Sequence, residues 1–176
     1  MPDTQSGELT ARMAPLIELM RNFCITLENA AETEETVLTA EMLDMLPRLY
    51  LAFGNLDTDM LSAFGDEYLP SYLDEEYYES IRQTLARIYG EHDTYLDTME
   101  ADMKYSDTPI AASISENLAD IFQPLYDCVS AIRESEGMQT AVALTICHEN
   151  FRAYWSQRLC NVLRPLNQLR YNPESL

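Results

Sequence analysis

The stretch ISENLADIFQPLYDCVSAIRESEGMQTAVALTICHENFRAYWSQRLCNVLRPLNQL, residues 114–169, decides the fold class. Its residues Ile114, Leu118, Ile121, Leu125, Cys128 and Ile132 recur at steps of 4 and 3, the spacing that lines one face of an α-helix. Ser113 or Ser115 is placed to cap that helix, since a serine hydroxyl accepts one of the unpaired N–H groups of a first turn. Gly137 ends the run and a second begins: Ala141, Leu144, His148, Phe151, Trp155, Leu159, Val162, Leu166 and Leu169, again at steps of 3 and 4. Two such stripes joined by a short glycine turn predict a long antiparallel helical hairpin. Pro165 is expected to bend its second arm, because proline removes a backbone donor.

Towards the N-terminus the same period continues. Leu16, Leu19 or Met20, Phe23 and Leu27 give a helix over about Leu9–Ala31, and Glu32–Glu35 read as a loop. Thr39 heads a second helix with Leu46, Leu49, Tyr50 and Phe53 inward, kinked or restarted at Pro47 and closed at Gly54-Asn55. A short helix is expected around Asp59–Phe64. Ser71 then caps a third long helix whose Tyr78, Ile81, Leu85 and Ile88 form a stripe, with Gly90 as its end. The acidic stretch Glu91–Thr108 predicts one short helical segment around Tyr95–Met103. The expected architecture is therefore all-α: a single-domain bundle of five to seven helices over residues 9–171. A flexible start (1–8) and a short tail (172–176) flank it.

The chain has 176 residues, 47% of them hydrophobic, enough for one self-sufficient core. Its 30 acidic residues against 11 basic ones give a formal charge of −19, which argues against nucleic acid and anionic membrane as partners. The charge is segregated. Residues 1–110 hold 23 acids and 6 bases, a net −17, and residues 111–176 hold 7 acids and 5 bases, a net −2. No apolar run approaches the roughly 20 residues of a membrane helix. Residues 1–6 lack the basic start and apolar centre of a secretory signal, so a cytoplasmic location is expected. Cys24, Cys128, Cys147 and Cys160 show no CxxC pairing and each lies in an apolar-periodic stretch, as expected of reduced, packed thiols.

Chemistry is sparse. Di-metal bundles need two Glu-x-x-His motifs, yet Tyr89 and Thr145 stand three residues before the two histidines, His92 and His148. Cys147 and His148 are adjacent and point about 100° apart on a helix, which does not chelate one ion. No GxSxG motif or glycine-rich phosphate loop occurs. No metal and no cofactor are expected. His148 reads as a neutral core histidine bonded to a carbonyl or a tyrosine, with a general base as the sharper alternative. Glu116 and Asp120 share a helix face where Arg152 or Arg158 of the next helix can pair with them; a register-fixing salt bridge is the commoner meaning of that pattern.

Three regions carry a family resemblance. Leu118-Ala119-Asp120-Ile121, Phe151 with Trp155, and Leu163-Arg164-Pro165-Leu166 resemble segments of the uncharacterised bacterial family of domain of unknown function 5063, as does Met45-Leu46-Pro47-Arg48-Leu49-Tyr50. The family pattern is similar to SLADDLADIY followed by F-x-x-H-W-G-x-H. This chain departs from it at Tyr154 and Arg158, where the pattern has histidines, and at Ser156, where it has glycine. The resemblance implies an all-helical fold and a bacterial origin. It implies no activity.

The residues thus predict a non-enzymatic interaction module with a basic protein partner. Its surface would be Asp66, Glu67, Tyr68, Tyr72, Asp74, Glu75, Glu76, Tyr77 and Glu79, a segment with six carboxylates and no cation between Asp66 and Glu79. The alternative is a small-molecule or enzymatic pocket built from Asp120, His148, Tyr154, Trp155 and Arg158. Oligomeric state leaves no signal in the sequence.

Overall fold

The computed structural model describes residues 2–61, 68–97, 104, 105 and 107–175. Helices α1 (Pro2–Glu28), α2 (Glu35–Gly54) and α3 (Glu75–Tyr89) come first. A two-stranded antiparallel ribbon, β1 (Thr94–Asp97) and β2 (Ile110–Ser113), leads into α4 (Ile114–Glu134). Then α5 (Thr140–Asn150), a π-helical turn (Phe151–Trp155) and α6 (Ser156–Tyr171) follow without a break. The architecture is an all-α bundle, as expected, with the small ribbon as its departure. Helix α4 packs on α1, α3, α5 and α6, and α2 packs on both α6 and α1.

The apolar stripes become the core. Ile114, Leu118, Ile121, Leu125, Cys128 and Ile132 are all buried on α4, and Ser113 is its cap, accepting from the Glu116 N–H. On α1 the buried set is Leu9, Leu16, Met20, Phe23, Cys24 and Leu27, so Met20 and not Leu19 lies on the stripe. Each such side chain contributes roughly 1.5–3 kcal/mol by leaving water. That scale explains why α2 runs unbroken through Pro47 and α6 through Pro165, so neither proline interrupts or restarts its helix. Leu46, Leu49, Leu166 and Leu169 flank the two prolines and are buried, and their packing outweighs one missing hydrogen bond per proline. Tyr50, expected inside, is largely exposed and lays its ring edge against Phe151.

Several boundaries differ from the sequence expectation. Helix α1 starts at Pro2, so residues 2–8, expected to be flexible, are helical. Helix α2 starts at Glu35, leaving Thr39 inside it. The cap of α3 is Asp74, whose carboxylate accepts from the Tyr77 N–H at 2.7 Å. Ser71 instead bonds the Leu73 carbonyl and Asp127. The helix expected at Asp59–Phe64 is a 3-10 turn at Thr58–Met60, with 62–67 outside the described residues. The helical segment expected around Tyr95–Met103 is contradicted at its start, because 94–97 form β1. Thr94 and Tyr95 favour a pleated surface, and β2 supplies the partner in the register Thr94↔Ser113 to Asp97↔Ile110. Residues 98–103 lie outside the described set.

The π turn repositions His148. Residues Cys147, Phe151, Trp155 and Leu159 are all buried at successive steps of 4. An ideal α-helix rotates about 40° too far at each such step, so a wider turn is needed to keep all four inward. The buried face of α5 therefore centres on Ala143 and Cys147, and His148 sits at its edge, half-exposed, with its ring stacked on Phe151.

The turn after α4 holds an unusual residue. Gly137 donates to the Ile132 carbonyl at 2.8 Å and Glu136 donates to the Arg133 carbonyl at 3.1 Å, the paired bonds of a Schellman ending. The left-handed position in that motif belongs to Glu136, at φ 50°, where glycine is the usual occupant. Gly137 follows at φ 85°, and a Cβ there would meet the Thr10 hydroxyl at 3.0 Å. Glu136→Gly is accordingly expected to stabilise the protein by about 1 kcal/mol, read as a higher urea midpoint at unchanged slope. Gly137→Ala is expected to lower the midpoint, and equal effects of the two substitutions would contradict this account.

Candidate functional site

The acidic segment resolves into inward and outward parts. Asp66 and Glu67 lie outside the described residues. Tyr68 is 87% exposed, whereas Tyr72, Tyr77 and Tyr78 are half-buried and pack against the core. Asp127 on α4 fixes the approach to α3, accepting from the Tyr72 N–H at 2.7 Å and the Leu73 N–H at 2.8 Å. Tyr77 donates to Glu28 at 2.5 Å; burial, then that carboxylate, pushes its phenol well above the ordinary range. Glu79 receives both Arg82 (2.8 and 2.6 Å) and Gln83 (2.9 Å), and Arg82 foremost holds its carboxyl down to about 2. Asp74, Glu75 and Glu76 face solvent. With Tyr78 and Glu79 they line an open concavity of about 760 Å³ whose lining has no cation.

Asp120 is the centre of a second constellation. Its Oδ1 accepts from the Tyr78 hydroxyl at 2.7 Å and its Oδ2 from the Tyr154 hydroxyl at 2.8 Å. The Arg158 Nε stands 3.6 Å from Oδ2, and its guanidinium lies 5.0 Å from the centre of the Tyr154 ring. Burial first, then the bond to Asp120, raises both phenols above their usual range. Beside this cluster the Asn117 amide donates to the Tyr95 hydroxyl, and Asn161 donates to the buried Asp97 at 3.0 Å. One seam therefore ties α3, β1, α4 and α6 together through polar side chains.

Of the five residues proposed for a pocket, the structure brings together Asp120, Tyr154 and Arg158. Trp155 is wholly buried between Phe53 and Phe151, and its indole N–H donates to the Cys147 carbonyl at 3.2 Å. His148 lies against the Phe53 backbone; burial and then Arg152 lower its pKa, so the ring is neutral at pH 7. Arg152 is exposed and away from Asp120's bonds. Tyr78 is the member that sequence reasoning missed. It was legible only as a core-stripe position, and nothing local shows that its hydroxyl reaches a helix 42 residues further on. Tyr95 lies in a segment whose sequence predicts a helix, and only its place on β1 brings its hydroxyl to Asn117.

The thiols divide. Cys24, Cys128 and Cys147 are buried and Cys160 is exposed, so the expectation of four packed thiols fails at Cys160. Burial drives Cys24 and Cys147 well above the ordinary thiol range, which leaves them protonated. Cys128 and Cys147 border a small cavity of about 160 Å³ behind residues 68–71. Among the described residues no group of three or more His, Cys, Asp or Glu side chains is arranged to hold a metal ion. No described helix is long and apolar enough to cross a membrane.

Residues 8–172 match the family model described as Domain of unknown function (DUF5063). The crystal structure of protein BF1032 from Bacteroides fragilis is similar to this chain at 32% sequence identity, with a TM-score of 0.76 over 91% of this chain and 92% of that one. No match is found among curated proteins. Both motifs that carried the resemblance meet in space: Asp120 belongs to one, and the departing positions Tyr154 and Arg158 belong to the other.

Proposed function

The chain belongs to the family of domain of unknown function 5063, and from there we propose that it is a non-enzymatic interaction module of the bacterial cytoplasm. Its acidic, tyrosine-bearing face takes a basic protein partner. The observation that carries this reading is the open concavity lined by Asp74, Glu75, Glu76, Tyr78 and Glu79: three solvent-facing carboxylates beside a tyrosine ring, with a fourth, Glu79, already paired with Arg82. Arginine side chains of a partner fit it, because guanidinium pairs with carboxylate in a fork and lies flat on an aromatic ring. The pair of Arg82 and Glu79 is an example of that fork within the chain itself.

The Asp120 cluster gives less support to an enzymatic pocket. Both carboxylate oxygens already accept from tyrosines, and those phenols hold their protons more tightly than free ones, the opposite of an activated group. His148 and Trp155 contribute nothing to it.

The test is calorimetric titration with an arginine-rich peptide at low and high salt. Asp74/Glu75/Glu76→Ala is expected to weaken binding about tenfold, from three lost contacts of ~0.5 kcal/mol each. A charge-matched control, Glu32/Glu41/Glu149→Ala, removes exposed acids elsewhere. Equal weakening by both variants would reduce the effect to net charge and defeat the assignment of this face.

A further inference from the structure

Helix α1 and the end of α2 leave a cleft between them on a part of the molecule that neither site above uses. It is an open cleft of about 400 Å³, lined by Arg12, Met13, Pro15, Leu16 and Leu19 from α1, and by Ala52, Asn55, Leu56 and Asp57 from the end of α2 and the residues after it. Its floor is apolar. Leu16 is buried, and Met13, Leu19, Ala52 and Leu56 are half-buried side chains packed against the core. The volume and the lining are those of a small-molecule site: mostly apolar, with a few polar groups to fix orientation.

The polar groups stand on opposite walls and carry opposite charge. Arg12 is exposed, and no carboxylate pairs with it among the described residues. Across the cleft, Asp57 spends one oxygen, Oδ1, on the Asp59 N–H at 3.2 Å, and among the described residues no hydrogen bond takes its Oδ2. Asn55 uses its amide nitrogen on the Leu51 carbonyl at 2.8 Å, which turns its carbonyl oxygen to acceptor duty. A purely anionic ligand would meet Asp57, and a purely cationic one would meet Arg12. The charge complement of this rim is a zwitterion, with its carboxylate on Arg12, its ammonium on Asp57 and Asn55, and an apolar body on the floor.

We propose that this cleft binds zwitterionic apolar molecules of the size of a hydrophobic dipeptide. The recognition is independent of the acidic face, since none of its residues belongs to that concavity.

The probe is leucyl-leucine, titrated calorimetrically into the full chain beside its N-acetyl, C-amide and doubly capped forms. The free dipeptide is expected to bind one per chain, and each cap to weaken it about tenfold, the worth of one charge-assisted hydrogen bond. Arg12→Gln should abolish the preference for a free carboxylate, and Asp57→Asn the preference for a free ammonium. Both residues are exposed, so unchanged unfolding midpoints should accompany the two variants. No binding of the free dipeptide, or equal binding of the free and doubly capped forms, would overturn the proposal. So would a dimer that either variant dissociates, because the cleft would then belong to a second copy of the chain.

Discussion

Trp155→Ala is expected to lower stability by about 3–5 kcal/mol, the largest loss of any single truncation in this protein. The indole is wholly buried, meets Phe53 edge-on at 4.9 Å and Phe151 at 4.6 Å between ring centres, and ties its N–H to the Cys147 carbonyl. Truncation removes the transfer energy of a large ring, leaves a cavity between α2 and the π turn, and removes one of the two donors of that carbonyl, which keeps the Phe151 N–H. Trp155→Phe separates the terms, keeping most of the volume and losing the hydrogen bond, at about 1–2 kcal/mol. Urea unfolding followed by circular dichroism reads both. A loss below ~1 kcal/mol for the alanine variant would mean that the core is not built around this ring.

Asp120→Ala is expected to cost about 2–4 kcal/mol, because two tyrosine hydroxyls lose their shared acceptor and one guanidinium its counter-ion at once. Its side chain is only 13% exposed, so water replaces that acceptor poorly. Tyr78→Phe and Tyr154→Phe each remove one donor and should cost less. In a double-mutant cycle with Asp120→Ala each should show coupling of about 1 kcal/mol. The same bonds set an alkaline limit. Tyr78 and Tyr154 titrate higher in the folded chain than the ordinary 10, so above about pH 10 the unfolded chain releases protons that the folded chain retains. Their contribution is therefore complete below pH 10 and falls as pH rises. The phenylalanine variants should flatten that decline, and an unchanged alkaline slope would show that these bonds do not matter to stability.

Local sequence made the bundle legible where the period ran long. The six-residue stripe of α4 stands as read, and of the two serines offered as its cap the helix uses Ser113. The misreadings have physical causes. Strands of four residues, paired across a gap of a dozen, carry too short an alternation to compete with the helical period around them. Ser71 and Asp74 are both good caps, and the choice between them was made by Asp127, which is distant in sequence and claims the Ser71 hydroxyl and the Tyr72 and Leu73 N–H groups. His148 looked like core because an α-periodic stripe passes through it; the steps of 4 from Cys147 to Leu159 were the competing signal, and only packing decides between them. At the Asp120 site the carboxylate and Arg158 were visible as a pair across two helices. Tyr78 was not, since a hydroxyl's reach depends on how α3 is set against α4.

The π turn also bears on inheritance. Relative to α geometry it carries about one surplus residue, an insertion absorbed inside a helix and not in a loop. Without one such residue, for instance the exposed Ala153, the buried Cys147, Phe151, Trp155 and Leu159 would fall at steps of 4, 3 and 4, a spacing that a regular helix keeps on one face. The inward register of Val162, Leu166 and Leu169 would be unchanged. The surplus residue is thus a local addition: it widens one turn of the chain and leaves the helix that follows seated as before.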